Sequence, residues 1–244
     1  MNVEGQMKIE DVQPKFTGEF FVPGESGERI EADHYCRYEF ACHYVKGKSV
    51  LDIACGAGYS SPLFVNAGAI SYDGVDLNQE LIAYSNKKYG SDIVRYHTGN
   101  ICTFDEDKLY DVIVCFETIE HVAEYELALK NLHKLLNPNG ILLISSPNRP
   151  VTSPKITSLQ GKPANKFHTQ EFIPEELVTL LNKHGFIALQ TDVYGQRQTK
   201  VYSNRLIQWI SRLLFGSSAV KTSPQVAPIT NKTPRYFVAL ATKA

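Results

Sequence analysis

From Ser49 onward, short apolar runs rich in Val and Ile alternate with longer segments whose apolar residues recur at helical spacing. Runs that are apolar at successive positions suit strands covered on both faces by crossover helices. The pattern predicts strands near Ser49–Ala54, Ser71–Asp76, Val94–His97, Asp111–Phe116 and Ile141–Ser145, with helices near Tyr59–Ala67, Gln79–Tyr89 and Ala123–Leu136. After Pro147 the rhythm changes. Residues Asn148–Lys166 are rich in Pro, Ser, Thr and Lys and read as a loop longer than a plain connection needs, hence a candidate functional segment. A helix opens at Ile173-Pro-Glu-Glu, with proline in its first turn and two acids at the positive end of its dipole, and ends at Gly185. Strands near Phe186–Val193 and Tyr236–Ala241 follow. Between them lies an insertion, 195–234, in which Leu206, Ile207, Trp209, Ile210, Leu213 and Leu214 repeat at helical spacing over Ser203–Phe215.

Strands alternating with helices predict an open, mostly parallel α/β sheet, whose ligands bind outside the carboxyl ends of the strands. The strongest local signal is Val50-Leu-Asp-Ile-Ala-Cys-Gly-Ala-Gly-Tyr59, a buried strand running into a glycine turn and then a helix. Gly56 and Gly58 permit a close backbone approach, and the helix N-terminus offers free N–H groups. Asp76 ends the next strand, where a carboxylate can accept two ribose hydroxyl hydrogen bonds. Dinucleotides and S-adenosylmethionine both suit this layout. The dinucleotide fingerprint wants a third glycine where Ser61 stands, and Asp52 inside the first strand is foreign to it. A Tyr84/Lys88 pair has the spacing of a short-chain dehydrogenase but falls on a solvent-facing helix.

Composition narrows the class further. The 244 residues are 43% hydrophobic and 21% charged, as in an ordinary globular chain with one large core. The net charge of −1 conceals an asymmetry, since all 26 acids precede Val193 and eight of the 25 basic residues follow Asp192. That basic end, including Arg197, Lys200, Arg205 and Arg212, suits a negatively charged partner. Five cysteines without metal-ligand spacing predict reduced thiols and a cytoplasmic setting. No secretory signal or membrane-spanning run is apparent in the sequence.

The ordered motifs Asp52-Ile-Ala-Cys-Gly-Ala-Gly58, Gly74-Val-Asp76, Gly99-Asn-Ile101, Tyr110 through Val122 and Leu136-Asn-Pro-Asn-Gly-Ile-Leu142 resemble the class I S-adenosylmethionine-dependent methyltransferases. The resemblance implies a Rossmann-like seven-stranded sheet with helices on both faces, an N-terminal helical lid over 1–48 and a methyltransferase domain over 49–244. It implies S-adenosylmethionine as cofactor, with Asp52, Ala54, Gly56 and Gly58 in the turn that meets its methionine part. Asp76 and Leu77 then fall at the ribose, Asn100 and Ile101 at the adenine, and Phe116 and Glu117 beside the sulfonium. Ala54 and Asn100 depart from the family pattern, which has glycine and commonly aspartate there.

Flanking motifs, among them Phe21-Val-Pro-Gly24, Arg37-Tyr-Glu-Phe-Ala41, Ser145-Ser-Pro-Asn-Arg149 and Tyr194-Gly-Gln-Arg197, look like methyltransferases of bacterial polysaccharide and glycosyltransferase systems. They imply a small-molecule or sugar-linked acceptor. His121 and His168 are the candidate general bases, because an imidazole titrates near pH ~6.5. His34 and Arg37 are candidates for acceptor or cofactor-carboxylate contact. Glu117, Glu120, His121 and His168 resemble the metal site of small-RNA 3′-end methyltransferases, but the favoured expectation is metal-free catalysis. A nucleic-acid partner is not expected, for want of an aromatic stacking platform. A metal-assisted RNA 3′-end 2′-O-methyltransferase and a non-catalytic cofactor-binding scaffold stand as alternative functions, and peripheral contact of Trp209 with a membrane as an alternative for the basic end.

Overall fold

The computed structural model describes residues 21–199 and 224–243. Eight strands form one sheet: β1 (Ser49–Ile53), β2 (Ser71–Asp76), β3 (Val94–Thr98), β4 (Tyr110–Cys115), β5 (Leu136–Pro147), β6 (Phe186–Thr199), β7 (Val226–Pro228) and β8 (Thr233–Lys243). Their order is β3-β2-β1-β4-β5-β8-β6-β7. The first five pair in parallel, while β8 runs antiparallel to both β5 and β6, and β7 antiparallel to β6. Six α-helices among the described residues accompany them: α1 (Glu28–Ala41), α2 (Ser61–Asn66), α3 (Gln79–Tyr89), α4 (Tyr125–Leu135), α5 (Arg149–Thr152) and α6 (Pro174–Lys183).

Successive side chains of a strand face opposite sides of the sheet, so each apolar run feeds two cores. Leu51, Ile53 and Ile113 pack with Leu129, Leu132 and Leu181 from α4 and α6. Val50, Val112 and Val114 pack with Tyr38 of α1 and Phe64 of α2 on the other face. Full burial of one such aliphatic side chain stabilises by ~1.5–3 kcal/mol, so the two-faced central strands hold the sheet rigid beneath their carboxyl ends.

The expected seven-stranded sheet has an eighth strand, β7, which lies inside the predicted insertion and pairs Tyr194 with Pro228, Gly195 with Ala227 and Gln196 with Val226. The strand expected to stop at Val193 continues to Thr199, with a shift of its register on β8 between Ala188 and Val193. The loop expected over Asn148–Lys166 contains the one-turn helix α5, in which Arg149 donates a two-point charged bond to Glu176 of α6, at 2.8 and 2.7 Å. The amphipathic segment Ser203–Phe215, with Lys200, Arg205, Trp209 and Arg212, lies outside the described residues, as does 1–20. No helix among the described residues is long and apolar enough to cross a membrane.

Candidate active site

A cavity of about 920 Å³ opens at the carboxyl ends of β1, β2, β4 and β5. One end is made by the turn after β1, where Ala54, Gly56 and Gly58 all hold positive φ, at 61°, 54° and 72°. The two glycines serve different ends. A Cβ on Gly56 would enter open space, and the residue lines the cavity. A Cβ on Gly58 would meet Ser85 Oγ at 2.6 Å and Tyr96 Cε1 at 2.8 Å, so this glycine admits close packing under the turn. Ser61 closes the turn by donating to the Gly58 carbonyl at 3.1 Å and bonding the Tyr96 hydroxyl at 2.6 Å.

Asp76, at the end of β2, accepts the Gly56 N–H through Oδ2 and the Asn78 N–H through Oδ1, both at 2.9 Å, and lines the cavity beside Leu77. Leu77 is 68% exposed, an apolar side chain left without a protein cover. Ile101 and Phe116 line the same end. Asp52 does not reach it: this carboxylate is fully buried behind the turn and accepts from Ser60 at 2.5 Å, Tyr72 at 3.1 Å and Tyr38 at 3.3 Å. Burial pushes its carboxyl up to about 7, against the opposing effect of those three hydroxyls. Asn100, expected at the adenine, lies off the cavity wall, with its Oδ1 accepting the Cys102 N–H at 2.8 Å within its own turn. Cys55 is buried, and burial holds its thiol well above the ordinary range, so the side chain packs.

Helix α1 roofs the cavity. His34 stacks on Phe21 with ring centroids 4.7 Å apart, and its Nδ1 is 2.9 Å from the Tyr59 hydroxyl. Burial, and next the nearby Arg37, hold the His34 imidazole well below its usual range. Arg37 is buried and lines the cavity; one guanidinium nitrogen donates to Gln196 at 2.8 Å, whereas Nε has no partner. Gln196 of β6 in turn donates to Asp33 Oδ1 at 2.7 Å, and Arg197 pairs with the same carboxylate at 2.5 Å. The roof is thereby fastened to the far side of the sheet by a buried polar network.

The opposite end gathers the turn after β4 and the 164–171 segment. Glu117 holds a left-handed backbone, φ 49°, and exchanges two hydrogen bonds with Ser145: its N–H donates to Oγ at 2.9 Å, and Oγ donates to its carboxylate at 2.7 Å. His121 Nδ1 donates to the Phe167 carbonyl at 3.0 Å, which puts the ring's lone pair on Nε2. His168 donates from Nδ1 to Glu171 at 2.7 Å and accepts from the Asn165 amide at Nε2, at 2.8 Å. The two imidazoles meet edge to face, 4.9 Å apart. Glu120 is 1% exposed and its Oε2 has no hydrogen-bond partner. Burial, and next the charge of Glu117, push its carboxyl well above the ordinary carboxylate range. Glu120, His121 and His168 offer ligand atoms that all lie within 4.8 Å of one another, a set able to hold a cation.

A family profile described as a methyltransferase domain matches residues 37–191, more than half of the chain. The chain belongs to the methyltransferase domain family. A probable S-adenosylmethionine-dependent methyltransferase of Mycolicibacterium smegmatis is 32% identical over 172 residues, covering 70% of this chain and 64% of the relative. A ubiquinone biosynthesis O-methyltransferase of Rickettsia prowazekii is 37% identical over 135 residues, covering 52% and 53% respectively. These curated relatives are thus matched over roughly half to two thirds of their own length. Among solved structures, an S-adenosylmethionine-dependent methyltransferase of Archaeoglobus fulgidus superposes with a TM-score of 0.59 at 20% identity, over 89% of this chain and 95% of that one. The magnesium protoporphyrin IX methyltransferase of Synechocystis, solved with bound S-adenosylhomocysteine, gives 0.56 at 15% identity, over 88% and 83%. At these identities the superpositions establish the fold.

In this methyltransferase domain the cavity brings together Ala54, Gly56, Asp76, Leu77, Ile101, Phe116, Glu117, His121 and His168, all expected from the sequence. Asp52, Gly58 and Asn100 stand behind its wall. Glu171, Arg235 and Tyr236 were not expected at the site; they lie in the 164–171 segment and on β8, where no motif spacing marks them. Asn165 belongs to the 148–166 loop singled out as a candidate functional segment, and Gln196, behind the roof, to the Tyr194-Gly-Gln-Arg197 motif.

Proposed function

We propose that this methyltransferase domain binds S-adenosylmethionine against the turn of Gly56 and the carboxylate of Asp76, and methylates an oxygen or nitrogen of a small or sugar-linked, negatively charged acceptor. One observation carries the reading: a single cavity joins the half-buried ribose-type acid and the uncovered Leu77 to a histidine-bearing end with room for a second molecule. Bound there, S-adenosylmethionine supplies a sulfonium methyl group open to in-line displacement, leaving S-adenosylhomocysteine. The partly satisfied Arg37 guanidinium suits the cofactor's carboxylate, and Leu77 suits an apolar base face. Alignment of the acceptor behind the methyl is the main task of such a pocket and is worth up to ~7 kcal/mol or more.

His121 and His168 are the candidate general bases: each imidazole sets its Nδ1–H on an oxygen, of Phe167 and of Glu171, so that Nε2 is the basic nitrogen that would take the acceptor's proton as the new bond to the methyl carbon forms. His168 Nε2 accepts from Asn165, a bond it would exchange for the acceptor's proton. The O-methyltransferase named among the relatives favours a hydroxyl oxygen of a small molecule; the sugar-linked acceptor rests on the flanking motifs alone. Incubation with methyl-labelled cofactor and candidate acceptors tests the proposal: labelled acceptor and S-adenosylhomocysteine are expected in equal amounts, and absence of cofactor binding by calorimetry would sink it. A second reading, cation-assisted activation of the hydroxyl, is favoured by the unpartnered Oε2 of Glu120 within its ligand cluster. Activity lost to EDTA and restored by magnesium or manganese would select it over the metal-free route.

A further inference from the structure

The fixed positive charges on the cavity wall, among the described residues, are Arg37 and Arg235. Their guanidinium carbons lie 5.5 and 5.6 Å from the centre of the same ring, that of Tyr236. Arg37 is buried beneath the roof helix and bound to Gln196. Arg235 is half-buried, and its Nε is 3.4 Å from the Tyr236 hydroxyl. No carboxylate among the described residues forms an ion pair with it.

Of the acids that share the cavity wall, Asp76 has partners of its own in the Gly56 and Asn78 N–H groups. Asp33 is held by Arg197, Glu171 by His168 and Thr152, and Glu117 by Ser145. Among the described residues, Arg235 is therefore a charge without an ionic partner on the cavity wall. Its backbone is firmly set, for the Asn148 N–H donates to its carbonyl at 2.9 Å and the Asn148 side chain to the Pro234 carbonyl at 2.9 Å. Stacking against one ring leaves the guanidinium's outer edge free to make paired hydrogen bonds to an oxyanion.

We infer that Arg235, backed by Tyr236, is the subsite for an anionic group of the acceptor, a carboxylate or a phosphate. This deepens the methyl-transfer reading and rests on it: the acceptor is anchored by its charge on β8 while its reacting atom lies toward His121. The test is an amide NMR titration of the protein loaded with S-adenosylhomocysteine, using inorganic phosphate in one arm and acetate in the other. Saturable shifts around Asn148 and Tyr236 are expected in at least one arm, and the stronger arm names the anion. Arg235→Gln should weaken that binding about tenfold or more, the scale of a lost charged hydrogen bond, while Arg235→Lys retains part of it. The affinity for S-adenosylhomocysteine should stay the same in both variants. No saturable binding of either anion, or binding unchanged in Arg235→Gln, overturns the inference. A parallel fall in S-adenosylhomocysteine affinity also overturns it, by assigning Arg235 to the cofactor. If the wild type binds no S-adenosylhomocysteine, the methyl-transfer reading fails, and the same titration of the unloaded protein decides the anion site by itself.

Discussion

Two glycines two residues apart in the turn after β1 answer to different physics, and substitution separates them. Gly56→Ala places its methyl in open space on the cavity side, so the fold bears only the cost of a left-handed alanine, ~1–2 kcal/mol, while the cofactor should bind more weakly. Gly58→Ala adds to that cost a collision with Ser85 and Tyr96, and should destabilise the protein by ~2–4 kcal/mol in urea melts. Equal losses of stability in the two variants would contradict this division. Ala54 already bears a left-handed strain at φ 61°, and Ala54→Gly should recover ~0.5–1 kcal/mol after the added chain entropy of glycine. Asp76→Ala should weaken S-adenosylmethionine binding by ~1.5–3 kcal/mol, as read by calorimetry, because two ribose hydroxyls lose a charged acceptor. It also releases the Gly56 and Asn78 N–H groups, so the melting temperature must be recorded beside the affinity.

Between elements, the decisive contact is the one that ties α1 to β6. Gln196 is fully buried and serves both Asp33 and Arg37, so Gln196→Leu takes one donor from Asp33, which keeps Arg197, and strands the Arg37 guanidinium. The expected result is local: amide exchange across Glu28–Ala41 accelerates and cofactor affinity falls, while β1, β2 and β4 keep their protection. A uniform rise in exchange over the whole sheet would show that the network supports the fold at large. The flanking motifs hold Arg37, Gln196 and Arg197, but no sequence pattern pairs them, because the partners of this network are 159 to 164 residues apart. The central strands were readable for the opposite reason. Burial on both faces writes itself into consecutive apolar residues, as in Val112 to Val114. Strand β6 beyond Val193 carries Tyr, Gly, Gln and Arg, held by pairing with β8 and by side-chain hydrogen bonds, so it looks like loop. The three residues of β7 are too few to show any period. The glycine turn and the place of Asp76 at a strand end were readable because their geometry is local, whereas nothing in the sequence shows that Asn100 Oδ1 accepts the Cys102 N–H within its own turn.

For the whole molecule, the buried polar groups set how stability responds to pH. Asp52 has a folded-state value of about 7, raised by burial above an unfolded value near ~3.9. Within that window the folded chain binds the extra proton, so stability is full below the unfolded value and declines as pH rises through about 7. His97 acts in the same sense: its bond to Asp73 raises it, so its contribution too is lost as pH rises through the folded value. Asp73, Asp111 and Glu171 are lowered despite burial, by their hydrogen-bond partners, and their contributions vanish as the pH falls toward those values. The two trends place the stability maximum on the acid side of neutrality, where Asp52 is still protonated and the lowered carboxylates are ionised. Asp52→Asn keeps the shape of the group and removes its titration. Urea midpoints taken from pH ~5 to ~8 should fall for the wild type, by an amount of order ~2–4 kcal/mol, and fall much less for the variant. His97→Gln, at a separate cluster on β3, should leave the Asp52 component of the slope intact. Parallel curves for the wild type and Asp52→Asn would mean that Ser60, Tyr72 and Tyr38 hold the carboxylate ionised at neutral pH, and the maximum would then lie nearer neutrality.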